Sequence, residues 1–242
     1  DVLGSRGLGD VYKRQEYVGG RVPVIAGAGS NDTRTAVKLT KSAKASGADA
    51  VLSVTPYYNK STQRGLIAHF NAIADCECPV ILYNVPSRTG MSFTAETYKE
   101  LSKHPFINGA KEASGNFSLL AEAMALCGDE MNFWSGNDDQ IVPLMSLGGK
   151  GVISVLSNVA PRAAHDLCRL CLDGKFADAA KMQLEYLELI NALFCEVNPV
   201  PVKKAMELLG WNVGPLRLPL VEPTAEHTML LKARLEKMGC KI

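Results

Sequence analysis

The sequence predicts an α/β fold: a (β/α)8 TIM barrel that lacks its first two strands in this chain, followed by a C-terminal helical domain. Two observations support this prediction. Short apolar strands alternate with helical segments between Glu16 and Leu172, and the first four strand ends recur at a near-constant spacing. Continuous apolar strands separated by helices are typical of a parallel sheet covered on both faces. An open doubly wound sheet also fits. A barrel is favoured because six units are found behind a foreign-looking segment.

Length and composition exclude several classes of protein. The chain has 242 residues, a formal net charge of +1 and 47% hydrophobic residues, which suits one sizeable core. The balanced charge gives no indication of binding to nucleic acid or to an anionic membrane surface. No apolar run has the length of a membrane span. Seven cysteines, an odd number, do not suggest a disulfide framework, so we expect a reduced, cytoplasmic protein.

The first segment, residues 1–15, differs from the rest of the chain. It is rich in glycine, it follows neither the helical nor the strand hydrophobic period, and it changes abruptly to ordinary sequence at Glu16. It is similar to translated adapter sequence at the ends of metagenomic assemblies. We therefore expect a foreign leader and exclude residues 1–15 from the fold prediction.

Six short apolar runs are predicted as strands 3 to 8 of the barrel, within residues 16–174. They cover residues 21–27, 50–56, 79–85, 107–113, 132–136 and 151–155. The helices that follow them cover residues 32–46, 62–74, 92–102, 117–126, 139–147 and 160–172. Asn31 or Asp32 can cap the first of these helices, and Gly47 ends it.

The strand pattern stops after Leu172, and residues 175–242 form the predicted helical domain. Asp173-Gly174 is a helix stop. Helices are expected over residues 176–194, 198–209 and 224–238, the second with proline in its first turn, where proline is tolerated. We expect this domain to serve in packing and assembly.

Two cysteine pairs raise the question of a metal or redox site. Cys168 and Cys171 form a C-x-x-C, but they share one face of a helical segment, and no second pair with metal-ligand spacing accompanies them. Cys76 and Cys78 precede a strand and lack histidine partners nearby. We expect all four to be structural and predict no metal site. The Gly27-Ala28-Gly29 turn lacks the third glycine of a dinucleotide-binding motif.

Lys111, at the end of the strand over residues 107–113, is the residue around which the predicted chemistry is organised. In a dry pocket its amine can be neutral, and a neutral amine attacks a carbonyl carbon to form a Schiff base. Lowering a lysine pKa from about 10.4 to about 7 takes roughly 4–5 kcal/mol of differential destabilisation of the charged form. Only a specifically structured active site supplies this destabilisation of the charged amine. The alternative is a lysine whose amine extends to water.

In a parallel barrel the active site lies at the carboxyl ends of the strands, so the residues there should converge. They are Thr55, Tyr57, Tyr58, Tyr83, Arg88, Lys111, Gly136, Ile153 and Ser154. The set contains an amine, phenols that can carry protons and a guanidinium, which recognises a carboxylate bidentately. Together they suit a keto acid that forms an imine with Lys111 and reacts as its enamine.

Two motifs resemble the paired signatures of the 4-hydroxy-tetrahydrodipicolinate synthase family, also called dihydrodipicolinate synthases. They are Tyr83-Asn84-Val85-Pro86-Ser87-Arg88-Thr89-Gly90 and Gly109-Ala110-Lys111-Glu112-Ala113-Ser114-Gly115. The resemblance extends from Glu16 to the carboxyl end. The lysine motif is shared by the wider superfamily of class I pyruvate-dependent lyases and aldolases, whereas the Arg-Thr-Gly is the more specific part.

The resemblance implies a Schiff-base condensation of pyruvate with L-aspartate 4-semialdehyde, the first committed step of diaminopimelate and lysine biosynthesis. Lys111 would form the imine with pyruvate, and no separate cofactor is implied. Tyr83 would carry the proton. Tyr58 would reach across a tight dimer into the neighbour's site and complete a proton relay, within a homotetramer built as a dimer of dimers.

The resemblance also implies the binding residues. Arg88 would bind the semialdehyde carboxylate, and Gly136 and Ile153 would line the pyruvate site through their backbones. Asn31 and Tyr57 match positions of the family's lysine-effector site.

This sequence departs from the family in two respects. The Gly-Thr-Thr-Gly-Glu motif of the family's second strand is absent. It supplies a relay threonine and helps to bind the pyruvate carboxylate, so we expect little synthase activity from this chain. Thr35 stands where lysine-sensitive members usually have an acidic residue, and the histidine-bearing segment of the effector site is missing. We therefore expect weak or no inhibition by lysine.

Two alternatives remain open. The first is another pyruvate aldolase of the superfamily, one that cleaves sialic acid or a keto-deoxy sugar acid; Arg88 is the residue that argues against it. The second is a non-catalytic paralogue that keeps the fold and the assembly surface. The intact set of Lys111, Tyr83 and Arg88 argues against that reading.

Overall fold

The computed structural model describes residues 4–240 and residue 242. In this part of the chain six strands form one sheet in the order of the sequence. They are β1 (Ile25–Gly27), β2 (Ala50–Val54), β3 (Val80–Asn84), β4 (Ile107–Glu112), β5 (Asn132–Ser135) and β6 (Gly151–Val152). The pairings of β1 with β2, β2 with β3 and β3 with β4 are parallel. The predicted α/β fold, part of a barrel followed by helices, is therefore confirmed.

Helices follow the strands and make up the carboxyl-terminal part of the chain. They are α1 (Gly4–Val18), α2 (Thr33–Ala45), α3 (Gln63–Ala74), α4 (Pro86–Thr89), α5 (Ala95–Leu101), α6 (Phe117–Cys127), α7 (Ile141–Ser146), α8 (Pro161–Leu172), α9 (Phe176–Ala192), α10 (Val200–Leu208) and α11 (Ala225–Lys237). Short 3₁₀ helices cover Asp138–Gln140 and Leu156–Asn158. Among the described residues, no helix is both long enough and apolar enough to cross a membrane.

The helix α1 lies mostly within residues 1–15, which were left out of the fold prediction. The helix runs through Glu16 without a break, while residues 1–3 of the predicted leader lie outside the described residues. The amide of Gln15 donates to the carbonyl of Gly47 and, at 3.3 Å, to the carboxylate of Asp49. Three glycines in the first turns weaken the helical signal, because glycine costs about 1 kcal/mol relative to alanine in a helix.

Asp32 is the residue that caps α2, which decides between the two predicted caps. Its Oδ2 accepts hydrogen bonds from the backbone N–H of Thr35 at 2.8 Å and from the Thr35 hydroxyl at 2.7 Å. These two bonds stabilise the ionised form and lower the pKa of Asp32 below its usual value. The helix therefore begins at Thr33, where the otherwise unpaired N–H groups of its first turn find an acceptor.

The chain divides into two compact units, and the boundary between Trp134 and Ser135 falls inside β5. The sequence analysis had placed its domain boundary between residues 174 and 175. The difference has a packing origin within the second unit. Helices α7, α8 and α9 share one buried cluster formed by Ile141, Met145, Leu167, Cys171 and Ala179. The last two helices of the βα pattern, α7 and α8, thus share a core with α9, the helix that follows them.

The core of the first unit contains a row of aromatic rings. Phe70 lies 5.3 Å from Phe93, Phe93 lies 4.8 Å from Tyr98, and Tyr98 lies 5.6 Å from Phe133, measured between ring centroids. These spacings are in the favourable range for tilted and edge-on aromatic pairs. The row of rings connects α3 and α5 to β5, so these helices pack against this part of the sheet.

Cys76, Cys78, Cys168 and Cys171 are free thiols that pack in the protein interior, as predicted from the sequence. Cys76, Cys78 and Cys171 are buried, and Cys168 packs against the cluster shared by α7, α8 and α9. Burial raises the pKa of the Cys168 thiol to about 11, so it stays protonated and is a poor nucleophile. Within the described part of the chain, no group of three or more histidine, cysteine or acidic residues could hold a metal ion.

His69, on α3, is buried in a way that opposes its protonation. Its Nδ1 lies 2.9 Å from the hydroxyl of Thr33, whereas its Nε2 is buried without a hydrogen-bond partner among the described residues. Burial lowers the pKa of His69 below 6.5, and the negative charge of Asp32 offsets part of that effect. The unfolded chain therefore takes up this proton at a higher pH than the folded chain. The resulting stability is fully present above the unfolded pKa and is lost as the pH falls from that value through the lower folded pKa.

We expect the melting temperature of the native protein to fall more steeply between about pH 7.5 and about pH 5.5 than that of His69→Gln. The glutamine keeps a polar group near Thr33 but cannot titrate. In a chain of this size, each kcal/mol corresponds to about 2–4 °C. Thermal unfolding followed by circular dichroism measures the difference, and parallel curves for the two proteins would contradict the prediction.

Candidate active site

Lys111 and Tyr83 lie side by side on neighbouring strands. In the parallel pairing of β3 with β4, Tyr83 is the direct partner of Lys111. The Lys111 Nζ lies 4.3 Å from the centroid of the Tyr83 ring, within the range of a cation–π contact. Both side chains are half-buried. The structure thus places a lysine amine against the face of a phenol, as convergence of the strand ends requires.

Gly109 allows β5 to approach β4 closely beside this pair. A Cβ atom on Gly109 would lie 2.4 Å from the backbone oxygen of Asn132 and 2.5 Å from the ring of Trp134. Because alternate residues of a strand face the same side, Gly109 lies on the same face of β4 as Lys111. Any side chain here would push β5 away from the strand that carries the amine.

A cavity of about 390 Å³ adjoins the Tyr83 ring. Its lining includes Gly27, Val54, Tyr57, Tyr83, Arg88 and Thr89. The volume is within the range for a small-molecule site, and the lining is mostly apolar with a few polar groups. Arg88 is the charged residue in this lining, so the cavity suits a small anion such as a carboxylate.

The phenol of Tyr83 remains protonated at neutral pH. Burial raises the pKa of Tyr83 above its usual value of 10, and the positive charge of Arg88 offsets part of that rise. A phenol in this state can donate a proton to a basic intermediate and recover it afterwards. The neutral phenol therefore lies between the Lys111 amine, which contacts its ring, and the cavity that Arg88 also lines.

The helix α4 positions Arg88, and the sequence analysis did not predict this element. Pro86 occupies its first turn, where the missing N–H costs nothing. Gly90 ends it at a φ of 73°, which favours glycine, and its N–H donates to the Pro86 carbonyl. The hydroxyl of Thr55 donates to Thr89 at 3.1 Å and ties this turn to the end of β2. Four residues are too few to show a helical period, so only the proline at its start and the glycine at its end mark α4 in the sequence.

The structure also brings together the two residues of the predicted effector position. The Asn31 side-chain amide donates to the backbone carbonyl of Tyr57 at 3.1 Å, and the Asn59 amide donates to the carbonyl of Asn31 at 2.9 Å. Tyr58, the next residue, is 92% exposed and has a φ of 73°. This conformation is unusual for a tyrosine, and it leaves the ring on the surface.

Gly136 and Ile153 belong to the second unit. There the N–H of Ile153 donates to the carbonyl of Ser135 at 2.8 Å, so the ends of β5 and β6 are joined next to Gly136. The buried carboxylate of Asp138 accepts the N–H groups of Val155 at 3.0 Å and Leu156 at 2.9 Å. These bonds hold the segments that follow the two strands.

Gln183 on α9 bonds to the backbone of the segment that follows β5. Its amide oxygen accepts the N–H of Val142 at 2.9 Å, and its amide nitrogen donates to the carbonyl of Asp139 at 2.7 Å. Neither Asp138 nor Gln183 was predicted from the sequence. Gln183 lies 44 residues from Asp139 in the chain, so no local pattern connects them.

A family model described as the dihydrodipicolinate synthetase family matches residues 11–238. The chain belongs to this family. The match begins before Glu16, where the sequence analysis had placed the start of the resemblance, and it includes most of α1. The match overlaps the predicted leader in residues 11–15.

Named members of the dihydrodipicolinate synthetase family are close relatives of this chain. The 4-hydroxy-tetrahydrodipicolinate synthase of Caldicellulosiruptor saccharolyticus is 54% identical over 228 residues, which cover 94% of this chain and 77% of that protein. The chloride-inhibited dihydrodipicolinate synthase from Acinetobacter baumannii, solved in complex with pyruvate, is 38% identical with a TM-score of 0.95. The enzyme from Cyanidioschyzon merolae with lysine bound is 40% identical, also with a TM-score of 0.95. Each alignment with these structures covers 98% of this chain and 82% of the other.

Proposed function

We propose that this protein is a 4-hydroxy-tetrahydrodipicolinate synthase, a lyase of diaminopimelate and lysine biosynthesis. The observation that carries the proposal is the Lys111 amine, 4.3 Å from the centroid of the Tyr83 ring, beside a cavity that Arg88 lines. The substrates would be pyruvate and L-aspartate 4-semialdehyde. The names of the close relatives support the same activity.

The reaction begins at the Lys111 amine, which in its neutral form attacks the keto carbon of pyruvate. The keto oxygen leaves as water and an iminium forms, so no other cofactor is needed. The iminium withdraws electrons, a methyl proton leaves, and the resulting enamine carbon attacks the aldehyde carbon of the semialdehyde. The amine of the semialdehyde then displaces Lys111 as the ring closes. Tyr83 carries protons in these steps because its phenol is neutral and faces the amine.

Arg88 binds the carboxylate of the semialdehyde. The position of Arg88 supports its role, since the guanidinium lines the cavity and the short helix α4 holds its backbone. Bidentate recognition of a carboxylate needs this planar group.

Arg88→Lys is expected to raise the KM for the semialdehyde about 10- to 100-fold, because a charge-assisted hydrogen-bond pair is worth about 1.5–3 kcal/mol. The rate of adduct formation with pyruvate alone should stay near that of the native chain. Steady-state kinetics with each substrate varied in turn measures the KM for the semialdehyde separately from the KM for pyruvate. An equal loss for both substrates would contradict a role specific to the semialdehyde.

Tyr58 completes the proton relay of a second subunit, and the protein assembles as a homotetramer in the cytoplasm. The exposure of Tyr58 supports this part of the proposal, because a ring that is 92% exposed at a φ of 73° has few contacts to hold it in one chain.

Asn31 and Tyr57 lie where lysine would bind as an effector. Thr35 uses its hydroxyl to bond Asp32 at 2.7 Å, and it brings no acidic group to that region.

A product screen tests the proposal directly. The chain is incubated with pyruvate and sodium borohydride, and the adduct is mapped by mass spectrometry. It is then incubated with pyruvate and, in separate reactions, with aspartate semialdehyde, N-acetylmannosamine or a short aldehyde. We expect an adduct on Lys111 and slow turnover, with the semialdehyde only, because the relay threonine of the absent Gly-Thr-Thr-Gly-Glu motif is missing. Turnover with the sugar alone would make the chain a sugar-acid aldolase, and a folded chain with no adduct would make it a non-catalytic relative.

A further inference from the structure

We propose that Glu112, together with Asn84 and Tyr98, acts as a positioning residue that sets Lys111 against Tyr83; this role rests on the function proposed above. Glu112 follows Lys111 on β4, and Asn84 follows Tyr83 on β3. Neighbouring residues of a strand face opposite sides. The amine and the phenol therefore occupy one face of the strand pair, and Glu112 and Asn84 occupy the other.

The carboxylate of Glu112 is the centre of a buried hydrogen-bond network. Its residue is only 4% exposed. Oε2 accepts the hydroxyl of Tyr98 at 2.7 Å, Oε1 accepts the N–H of Ser114 at 2.7 Å, and the Asn84 amide lies 3.2 and 3.1 Å from the two oxygens. The Asn84 amide also reaches the hydroxyl of Ser92 at 3.0 Å. The network thus joins β3, β4, α5 and the turn after β4.

The donors in this network are suited to an ionised carboxylate. Burial raises the pKa of Tyr98 well above its usual value, and the negative charge of Glu112 raises it further. Tyr98 therefore keeps its proton and remains a donor. Each carboxylate oxygen of Glu112 accepts one short hydrogen bond, Oε2 from Tyr98 and Oε1 from Ser114. The Asn84 amide contacts both oxygens.

The network lies at the regularly paired, catalytic end of β3 and β4, where the register decides which residues lie opposite each other. The pairing of β3 with β4 is irregular at its start, where Val80 pairs with Ile107 but Ile81 pairs with Gly109. A slip by one residue would turn every side chain to the other face. The bond between Asn84 and Glu112 joins the pair next to Tyr83 and Lys111, and so it fixes the register at the catalytic end.

Stability alone does not account for a carboxylate at this position. A buried charge costs several kcal/mol to desolvate, and replacing such groups by apolar residues is often neutral or stabilising. A buried polar network can instead select one register among competing ones. The buried carboxylate thus selects the one register that places the amine against the phenol.

Glu112→Gln and Tyr98→Phe test this proposal, with Glu196→Gln as the matched control. The glutamine replaces one acceptor oxygen by an amide NH2 group, which faces a donor, either Tyr98 or Ser114. The phenylalanine removes one bond while the carboxylate stays. Glu196 also accepts a backbone N–H, that of Thr224 at 3.0 Å, and a side-chain donor, His227 at 2.6 Å, but it lies in the second unit. Its substitution should change stability without changing Lys111.

Two measurements are made on each full-length variant. The first is the rate of borohydride-trapped adduct formation over a range of pyruvate concentrations. The second is competitive acetylation of all lysines by acetic anhydride over a range of pH, with Lys111 quantified by mass spectrometry against Lys44 and Lys204. The second measurement needs no substrate, so it reports the environment of Lys111 even when no imine forms.

We expect Glu112→Gln to slow adduct formation at saturating pyruvate about 10- to 100-fold, because a misplacement of about 1 Å can cost that much. The acetylation profile of Lys111 should be displaced along the pH axis while those of Lys44 and Lys204 stay unchanged. Tyr98→Phe should act in the same direction with a smaller effect, and Glu196→Gln should leave Lys111 as in the native chain.

Unchanged acetylation profiles of Lys111 in both Glu112→Gln and Tyr98→Phe would overturn the positioning role. If Glu112→Gln does not fold, Tyr98→Phe decides alone, since it removes a single hydroxyl. A native chain that forms no adduct while the variants still displace the Lys111 profile would refute the proposed function but support the positioning role.

Discussion

Lys111→Met is expected to abolish the borohydride-stable adduct with pyruvate and to lower any turnover by about 10³-fold or more. Methionine is similar to lysine in length and keeps an apolar stem against the Tyr83 ring, but it has no amine to attack the keto carbon. The loss should therefore be chemical rather than structural. Intact-mass measurement after treatment with pyruvate and borohydride shows directly whether the adduct forms.

Lys60→Met provides a matched control for this experiment. Lys60 is exposed, and its side chain lies close to Gly90 at the end of α4, so it is a second amine near the Arg88 turn. We expect Lys60→Met to form the adduct as the native chain does. An adduct that persists in Lys111→Met, or that maps to Lys60, would show that the wrong amine has been identified.

Tyr83→Phe is expected to slow turnover about 10²- to 10⁴-fold, the usual contribution of a positioned proton carrier. The substitution removes the hydroxyl but keeps the ring that faces the Lys111 amine at 4.3 Å. Pyruvate should therefore still bind, and the loss should appear in kcat more than in KM. Steady-state kinetics together with the rate of adduct trapping separates the two parameters.

Tyr57→Phe is the control for the loss of a phenol in the same cavity. Tyr57 lines the cavity with Tyr83, and its backbone carbonyl, rather than its hydroxyl, accepts the bond from Asn31. We expect a change of less than about tenfold. If Tyr57→Phe and Tyr83→Phe lost activity equally, the phenols would act through packing of the cavity and not as a specific proton carrier.

Local sequence patterns were sufficient for most of the regular structure. The apolar run over β3 and the glycine, proline and polar residues between elements are signals that act over a few residues, so they predict a strand and its ends. The cap of α2 at Asp32 is another short-range signal, because the capping oxygen and the N–H that it accepts are three residues apart. Elements without such a signal were missed, such as the glycine-rich start of α1.

The residues that carry the predicted chemistry also came from the sequence, but their arrangement did not. Tyr83 and Lys111 are candidates because they lie at the carboxyl ends of predicted strands, and parallel strands present these ends at one edge of the sheet. The contact between the amine and the ring depends on the register of two strands that are 28 residues apart in the chain, as the bonded pair Asn84 and Glu112 shows. Periodicity within one strand contains no information about that register.

The tertiary structure alone decided which groups support the site. Glu112 reads in the sequence as the polar end of a strand, yet it is buried and bonded by Tyr98 from a helix that precedes β4. Asp138 and Gln183 similarly bond to backbone groups that lie 17 and 44 residues away in the chain. A buried polar group must find partners wherever the fold provides them, because water is excluded. The sequence therefore determined the elements and the reactive residues, and long-range hydrogen bonding and packing determined how those residues are held.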